Sequence, residues 1–450
     1  MEANDIDAVP GFRAALAVAD SVLYEGYLLY PYRRSSPKNQ VRWQFGVLLP
    51  EPWARAHDLE GGGVAGSAES WWQQTECLLV APAGATVRGR LRFLQLRRRT
   101  PEERLPGGGH RAADRVGDVL GFDEGVPREL DVAASVAELL AGEKLLNLKI
   151  PGSETVSPLP GGEGRTRWRK WPLSTRVTLS LTPCKVTADA PLRAGESLFK
   201  LRVRTENATL GPPRDAPRDE ALPHALIACH TLLTVPGGRF VSLLDPPGWA
   251  CEAAGKCVNA QTYPVLSGEQ VVLSSPILLY DNPRVAPESP GDLHDATEID
   301  EILSLRTLTL TDAEKREARA TDPRAAAIID RVEAMTPEDL ARLHGTIRDP
   351  QSPAPSWHPE AHSDTVEVAG KVVRRGSRVR LRPRLRGSDP QDMFLDGRTA
   401  LVEAVLQDVD GAPHLAVTLE DDPAAELNQW YGRYRYFSPD ETEPLDGEPA

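Results

Sequence analysis

Three thiols and an imidazole are the side chains best suited to metal chemistry: Cys229 and His230 are adjacent, and Cys251 and Cys257 follow with five residues between them. Thiolate and imidazole are donors that zinc and iron prefer, so convergence of these four would build a zinc or iron site. The spacing argues otherwise. Zinc ribbons and fingers keep paired cysteines about two to four residues apart and add a second pair, which this sequence lacks. The competing reading is free thiols, in keeping with an odd set of five scattered cysteines that includes Cys77 and Cys184. His224 is a weaker fifth donor. A second group, His294, Asp295, Glu298, Asp300 and Glu301, gathers carboxylates where a helix is expected to begin. A cation or catalytic site is one reading; helix capping and the helix dipole explain the same residues without a ligand.

Interface chemistry has its own candidates. Tyr24, Tyr27, Tyr30, Tyr32 and Trp43 cluster beside Arg33, Arg34 and Lys38, and aromatic and arginine side chains are the usual energetic anchors of protein interfaces. Trp168 and Trp171 stand among Arg165, Arg167, Arg169 and Lys170, with Arg97, Arg98 and Arg99 as a second basic run. Such a mixture reads as a docking surface, as an aromatic-basic face for nucleic acid, or as packing under an arginine-rich loop. A formal net charge of -13 opposes nucleic acid, because phosphate backbones are repelled at long range. A protein partner is the expectation.

No P-loop, no G-x-G-x-x-G at a strand-to-helix turn, no G-x-S-x-G and no H-E-x-x-H occurs in the sequence. The sequence names no reaction and no cofactor, and the expectation is a binding protein rather than an enzyme. No apolar run approaches membrane-spanning length, and residues 1–11 lack a basic, then apolar leader; a cytoplasmic protein without membrane attachment is expected.

The elements that must position these residues follow from periodicity. A helix is expected within 11–32, its aromatics leaving a strand as the alternative, and a half-buried strand at 41–49. Strands at 74–81 and 86–98 read as a hairpin across 82–84, followed by strands at 128–139, 176–182, 197–205, 239–244 and 270–280. Turn-rich loops cover 100–117, 151–165 and 209–219, and a short helix is expected at 223–233. Helices at 295–305, 312–320, 323–335 and 337–345 then precede a proline-rich linker. The expected class is α+β: a β-rich antiparallel sandwich-like body, a helical segment and a C-terminal β-barrel. The expected divisions are 1–170, 171–290, the helices at 291–348, the linker at 349–363 and a final domain at 364–450.

That final domain carries GSRVRLRP at 376–383, FLDGRTALVEAV at 394–405, Asp410-Gly411, HLAVTL at 414–419 and YRYF at 434–437. These strands resemble SH3-like small barrels, such as those appended to nitrile hydratase beta subunits and to ribosome-associated proteins. Its expected core is Val379, Leu381, Ala400, Val402, Ala404, Leu415, Val417 and Leu419. Arg378, Arg380, Arg382, Arg384 and Arg386 form a basic stripe, read either as a contact for phosphates or an acidic partner or as a solvated face balanced by acids such as Glu420.

The run ADSVLYEGYLLYPYR at 19–33, continued by SPKNQVRWQFGV at 36–47, with FVSLLDPP at 240–247, SPILLYDNPRVAPESPGD at 275–292 and DATEIDEIL at 295–303, resembles an uncharacterised bacterial family encoded beside nickel-iron hydrogenases. The resemblance implies a non-catalytic accessory or scaffold role in hydrogenase assembly or docking, with hydrogenase subunits as partners. The alternatives are a metal-handling factor or metalloenzyme using Cys229, His230, Cys251 and Cys257, and a nucleic-acid-binding protein acting through the C-terminal barrel.

Overall fold

Runs of alternating apolar residues broken by proline and glycine give the chain its strands. The computed structural model describes residues 6–24, 26–40, 42–43, 45–59, 69–187, 190–285, 300–336, 339, 365–382, 395–407, 413–420 and 435–445. They divide into two compact units, Met1–Thr346 and Ile347–Ala450. The divisions expected at 170 and 290 do not separate bodies, because strands from both sides of residue 170 share the same sheets.

In the first unit the strands are β1 (Trp72–Pro82), β2 (Thr86–Arg104), β3 (His110–Ala112), β4 (Arg115–Val116), β5 (Val119–Leu120), β6 (Phe122–Ser135), β7 (Lys144–Ile150), β8 (Ser153–Pro158), β9 (Gly164–Lys170), β10 (Leu173–Pro183), β11 (Glu196–Asn207), β12 (Ile227–Thr234), β13 (Arg239–Val241), β14 (Tyr263–Leu266) and β15 (Val271–Ser275). A five-stranded sheet runs β13-β1-β11-β10-β7, and a larger one runs β14-β15-β12-β2-β9-β8, with β6 and β3 also paired to β2. All the pairings are antiparallel. Between the two sheets lies a core that includes Leu79 of β1, Leu179 of β10, Leu201 of β11, Phe93 of β2 and Leu233 of β12. The body is thus sandwich-like.

Two expectations fail here, each for its own reason. Strands β1 and β2 are not a hairpin; the turn between them carries the chain from one sheet to the other, since alternation marks strands without saying which strands pair. Of the helix expected at 223–233 only a 3₁₀ turn at Leu222–His224 forms; from Ile227 the chain is strand β12, all eight of whose residues are buried. A continuous apolar run covered on both faces has no strand period to read.

The helices are α1 (Phe12–Tyr24), α2 (Pro37–Gln40), α3 (Glu51–Ala56), α4 (Val136–Ala141), α5 (Arg218–Ala221), α6 (Cys251–Ala254), α7 (Asp300–Leu308), α8 (Asp312–Thr321) and α9 (Pro323–Glu333). Phe12, Ala15, Val18 and Ala19 of α1 bury a helical stripe against Leu232, Val271 and Leu273 of the larger sheet. The 41–49 segment is not a regular strand: Trp43 has φ of 67° and Leu48 makes only isolated bridges, to Leu226 and Ser70. Gly46 permits its close approach, because a Cβ there would lie 2.9 Å from the Cys229 amide nitrogen. Helices α8 and α9 start at capping side chains, Thr311 and Asp322. The helical segment is part of the first unit, its Leu303, Ile328 and Val332 sharing a core with Tyr27, Leu28 and Trp43. The expected helix at 337–345, Asp339 apart, and the linker at 349–363 lie outside the described residues. Among the described residues no helix is long and apolar enough to cross a membrane.

In the second unit β16 (Thr365–Val368) pairs β17 (Lys371–Arg374). A five-stranded antiparallel sheet, in the order β21-β20-β19-β18-β22, combines β18 (Arg378–Leu381), β19 (Thr399–Gln407), β20 (Pro413–Leu419), β21 (Arg435–Phe437) and β22 (Thr442–Pro444). The expected core is present except at Ala404, and Val405 and Phe437 join it. A register shift between Val402 and Ala404 explains the exception. It turns Glu403 inward, where its carboxylate accepts a 2.8 Å hydrogen bond from Thr418 Oγ1.

Candidate functional site

The four donors of the expected metal site are not brought together. Cys229 and His230 are neighbours on β12, so they face opposite sides of the sheet. The Cys229 thiol lies in the core between the sheets and accepts a hydrogen bond from Gln73 Nε2 at 3.4 Å. His230 is fully buried beside Arg92 of β2; its Nδ1 is 2.7 Å from the Ala228 carbonyl oxygen, and its Nε2 has no partner among the described residues. Burial first, and the Arg92 charge second, push the imidazole down to about 3, so it is neutral at ordinary pH. Cys251 is exposed on α6, and Cys257 packs with Cys184 over the outer face of the five-stranded sheet. Burial raises the Cys257 thiol to about 11. Among the described residues no three histidine, cysteine or acidic side chains gather as a metal cage. Of the acidic group, 294–299 lie outside the described residues and Asp300 begins α7.

The tyrosine cluster is core rather than surface, a second correction. Tyr27 and Tyr32 are fully buried and Trp43 is 4% exposed, while Tyr24 and Tyr30 are half-buried. Tyr27 packs edge-on to Trp43 with ring centroids 5.1 Å apart. Arg33 and Arg34 are committed to ion pairs, with Glu314 and Asp114, each at 3.0 Å. The composition that anchors interfaces also fills cores, and here the aromatics fasten the N-terminal segment to the helices.

Trp168 and Trp171 do remain at the surface, half-buried. Strand β9 aligns Trp168 with Arg99 of β2 and Thr155 of β8. The guanidinium carbons of Arg97 and Arg99 lie 4.5 and 5.6 Å from the Trp168 ring centre, and those of Arg169 and Arg98 lie 4.7 and 5.6 Å from Trp171. Arg97 also pairs with Glu124 at 2.5 Å. Burial, then the charges of Arg128 and Arg97, depress the Lys170 ammonium. Beside this ladder runs β8, the last strand of the sheet. All six of its residues are exposed, and no strand among the described residues pairs its outer edge.

The C-terminal arginine stripe is balanced by acids. Arg378 pairs with Glu420 at 2.5 Å, Arg380 with Glu443 at 3.9 Å, and Arg382 with Asp396 at 3.3 Å; Arg384 and Arg386 lie outside the described residues. Sequence reasoning missed a cleft of about 830 Å³ whose wall includes Arg34, Arg42, Arg98 and Arg99. Its one signal in the sequence was the arginine run at 97–99. No known protein-family profile matches this chain, and no curated protein is significantly similar to it.

Proposed function

We propose that this chain is a non-catalytic accessory or scaffold protein that docks a protein partner along β8 and the adjoining Trp168 and Trp171. The observation that carries the reading is an open, fully exposed strand edge beside two half-buried tryptophans stacked with arginines. An extended partner segment can add to such an edge through main-chain hydrogen bonds while the tryptophans supply anchoring area. The family resemblance supplies the partner's identity in this reading: nickel-iron hydrogenase subunits, met in the cytoplasm during assembly or docking. The C-terminal unit is read as an SH3-like small barrel, supported by a five-stranded antiparallel sheet on one core, its end strands β21 and β22 not paired with each other among the described residues. The test is co-purification of hydrogenase subunits with the full chain from its native host. Trp168→Ala with Trp171→Ala should weaken capture while leaving the melting temperature within a few degrees of wild type. Hydrogenase subunits that assemble normally without the gene would overturn the reading.

A further inference from the structure

The arginine-lined cleft lies between the N-terminal segment, the end of β2, the β4–β5 hairpin and α8. Five arginines and four carboxylates line it: Arg34, Arg42, Arg98, Arg99 and Arg115 against Asp114, Asp123, Asp219 and Glu317. The pairing is uneven. Arg34 bonds the Asp114 carboxylate and Arg98 makes two 2.8 Å bonds to that of Asp123, so both carry their own counter-charge. Among the described residues Arg42 and Arg99 hydrogen-bond no carboxylate, although the Asp322 and Glu124 charges act on both.

Arg42 is only 7% exposed, its guanidinium 3.9 Å above the Phe122 ring. Its Nη2 donates to the Asp123 carbonyl oxygen at 2.5 Å, and its Nη1 is buried without a partner among the described residues. Among the described residues Arg99 donates only to carbonyl oxygens: Nε to Leu120 at 2.7 Å, and Nη2 to Ala320 and Thr321 at 3.1 and 2.7 Å. Carbonyl dipoles satisfy donors but do not neutralise a full charge withdrawn from water. Burial is the leading cause that lowers both guanidiniums, Arg42 to about 10. Exposed Arg115 at the rim bonds, among the described residues, only the Gly117 carbonyl oxygen. Of the cleft acids outside an arginine pair, Glu317 accepts from the Ser35 amide and Asp219 stands exposed at the rim.

We propose that this cleft binds a small molecule carrying an oxyanion, a carboxylate or a phosphate, which gives Arg42 and Arg99 the directly hydrogen-bonded counter-charge that no carboxylate among the described residues supplies. The ligand meets Arg99 and Arg115 at the cleft wall, with the Arg42 charge behind them. This inference stands apart from the docking role: either can fail alone.

The test titrates the full wild-type chain with inorganic phosphate, pyrophosphate, citrate and succinate at fixed ionic strength, with chloride as control, by calorimetry and thermal shift. A saturable heat and a rise in melting temperature with at least one oxyanion is expected; phosphate and pyrophosphate against citrate and succinate separates the two sources. Arg42→Met and Arg99→Met should each weaken that binding by about tenfold or more, the worth of a lost charge-assisted contact. If none of the four oxyanions binds better than chloride, the proposal is wrong. It is equally wrong if binding survives both substitutions; should either variant fail to fold, the wild-type titration and Arg115→Ala at the exposed rim decide, with undiminished binding in the latter counting against it.

Discussion

Tyr27 and Asp322, 295 positions apart in the chain, share a buried hydrogen bond in which the Tyr27 hydroxyl donates to Asp322 Oδ2 at 2.9 Å. The same hydroxyl oxygen accepts from the Gly125 amide at 3.2 Å and from Arg324 Nη1 at 3.0 Å, while Asp322 Oδ1 accepts from the Arg324 amide and caps α9. One phenol therefore joins the segment after α1, strand β6 and helix α9. Burial, reinforced by the Asp322 charge, raises the Tyr27 hydroxyl far above the ordinary tyrosine range, so it stays a donor at any ordinary pH.

Tyr27→Phe should remove all three contacts while keeping the ring. Stranding buried donors and a carboxylate costs about 1–3 kcal/mol. Chemical denaturation should show a lower midpoint at unchanged slope; an unchanged midpoint would mean the network contributes nothing.

His230 predicts an acid-sensitive fold. Its imidazole is pushed from 6.5 to about 3 in the folded chain, so the unfolded chain takes up the proton more readily. Stability from this group is full above pH 6.5 and is lost as pH falls toward 3, at no more than about 1.4 kcal/mol per pH unit. His230→Leu should flatten the decline of stability between pH 6 and 4 by up to one proton. Parallel pH profiles for the two proteins would contradict the burial argument.

Much of the architecture was legible where one face of a strand is dry and the other wet. Val177, Leu179 and Leu181 of β10, and Leu201 and Val203 of β11, alternate with accessible residues and were read as strands on that basis. Strand β12 was not legible, because both of its faces are buried and the run from Ile227 to Thr234 carries no period. The pairing of β1 with β11 rather than β2 depends on contacts between residues more than a hundred positions apart, such as Leu79 with Phe199. As for the candidate sites, Trp168 and Trp171, singled out by composition, lie half-buried, whereas the same logic misplaced Tyr27, Tyr32 and Trp43, since core and interface draw on the same side chains. The Arg42 cleft assembles residues from five separate stretches, of which only the arginine run at 97–99 stands out locally.

Val417 is 1% exposed at the centre of the second unit's core. Val417→Asp buries an unpaired charge there, which costs several kcal/mol, comparable with a small domain's whole stability of about 5 kcal/mol. Hydrogen exchange on the full chain should show β18, β19 and β20 losing protection while β10 and β11 keep theirs. Retained protection in β18 to β20 would refute the core assignment.

Elemental analysis of untagged protein should find no stoichiometric zinc or iron, since Cys229 lies between the sheets, His230 on the other side of β12, and Cys251 and Cys257 outside the five-stranded sheet. One tightly held equivalent of either metal, lost on Cys229→Ser, would restore the metal-handling alternative.

The docking proposal is tested most directly by amide hydrogen exchange across residues 153–158 with and without purified nickel-iron hydrogenase subunits. A partner strand added to β8 must protect the outward-facing amides of that edge, and the protection should fall away when Trp168 and Trp171 are both alanine. Protection confined to other surfaces, or no change in exchange at saturating subunit concentration, would contradict the account.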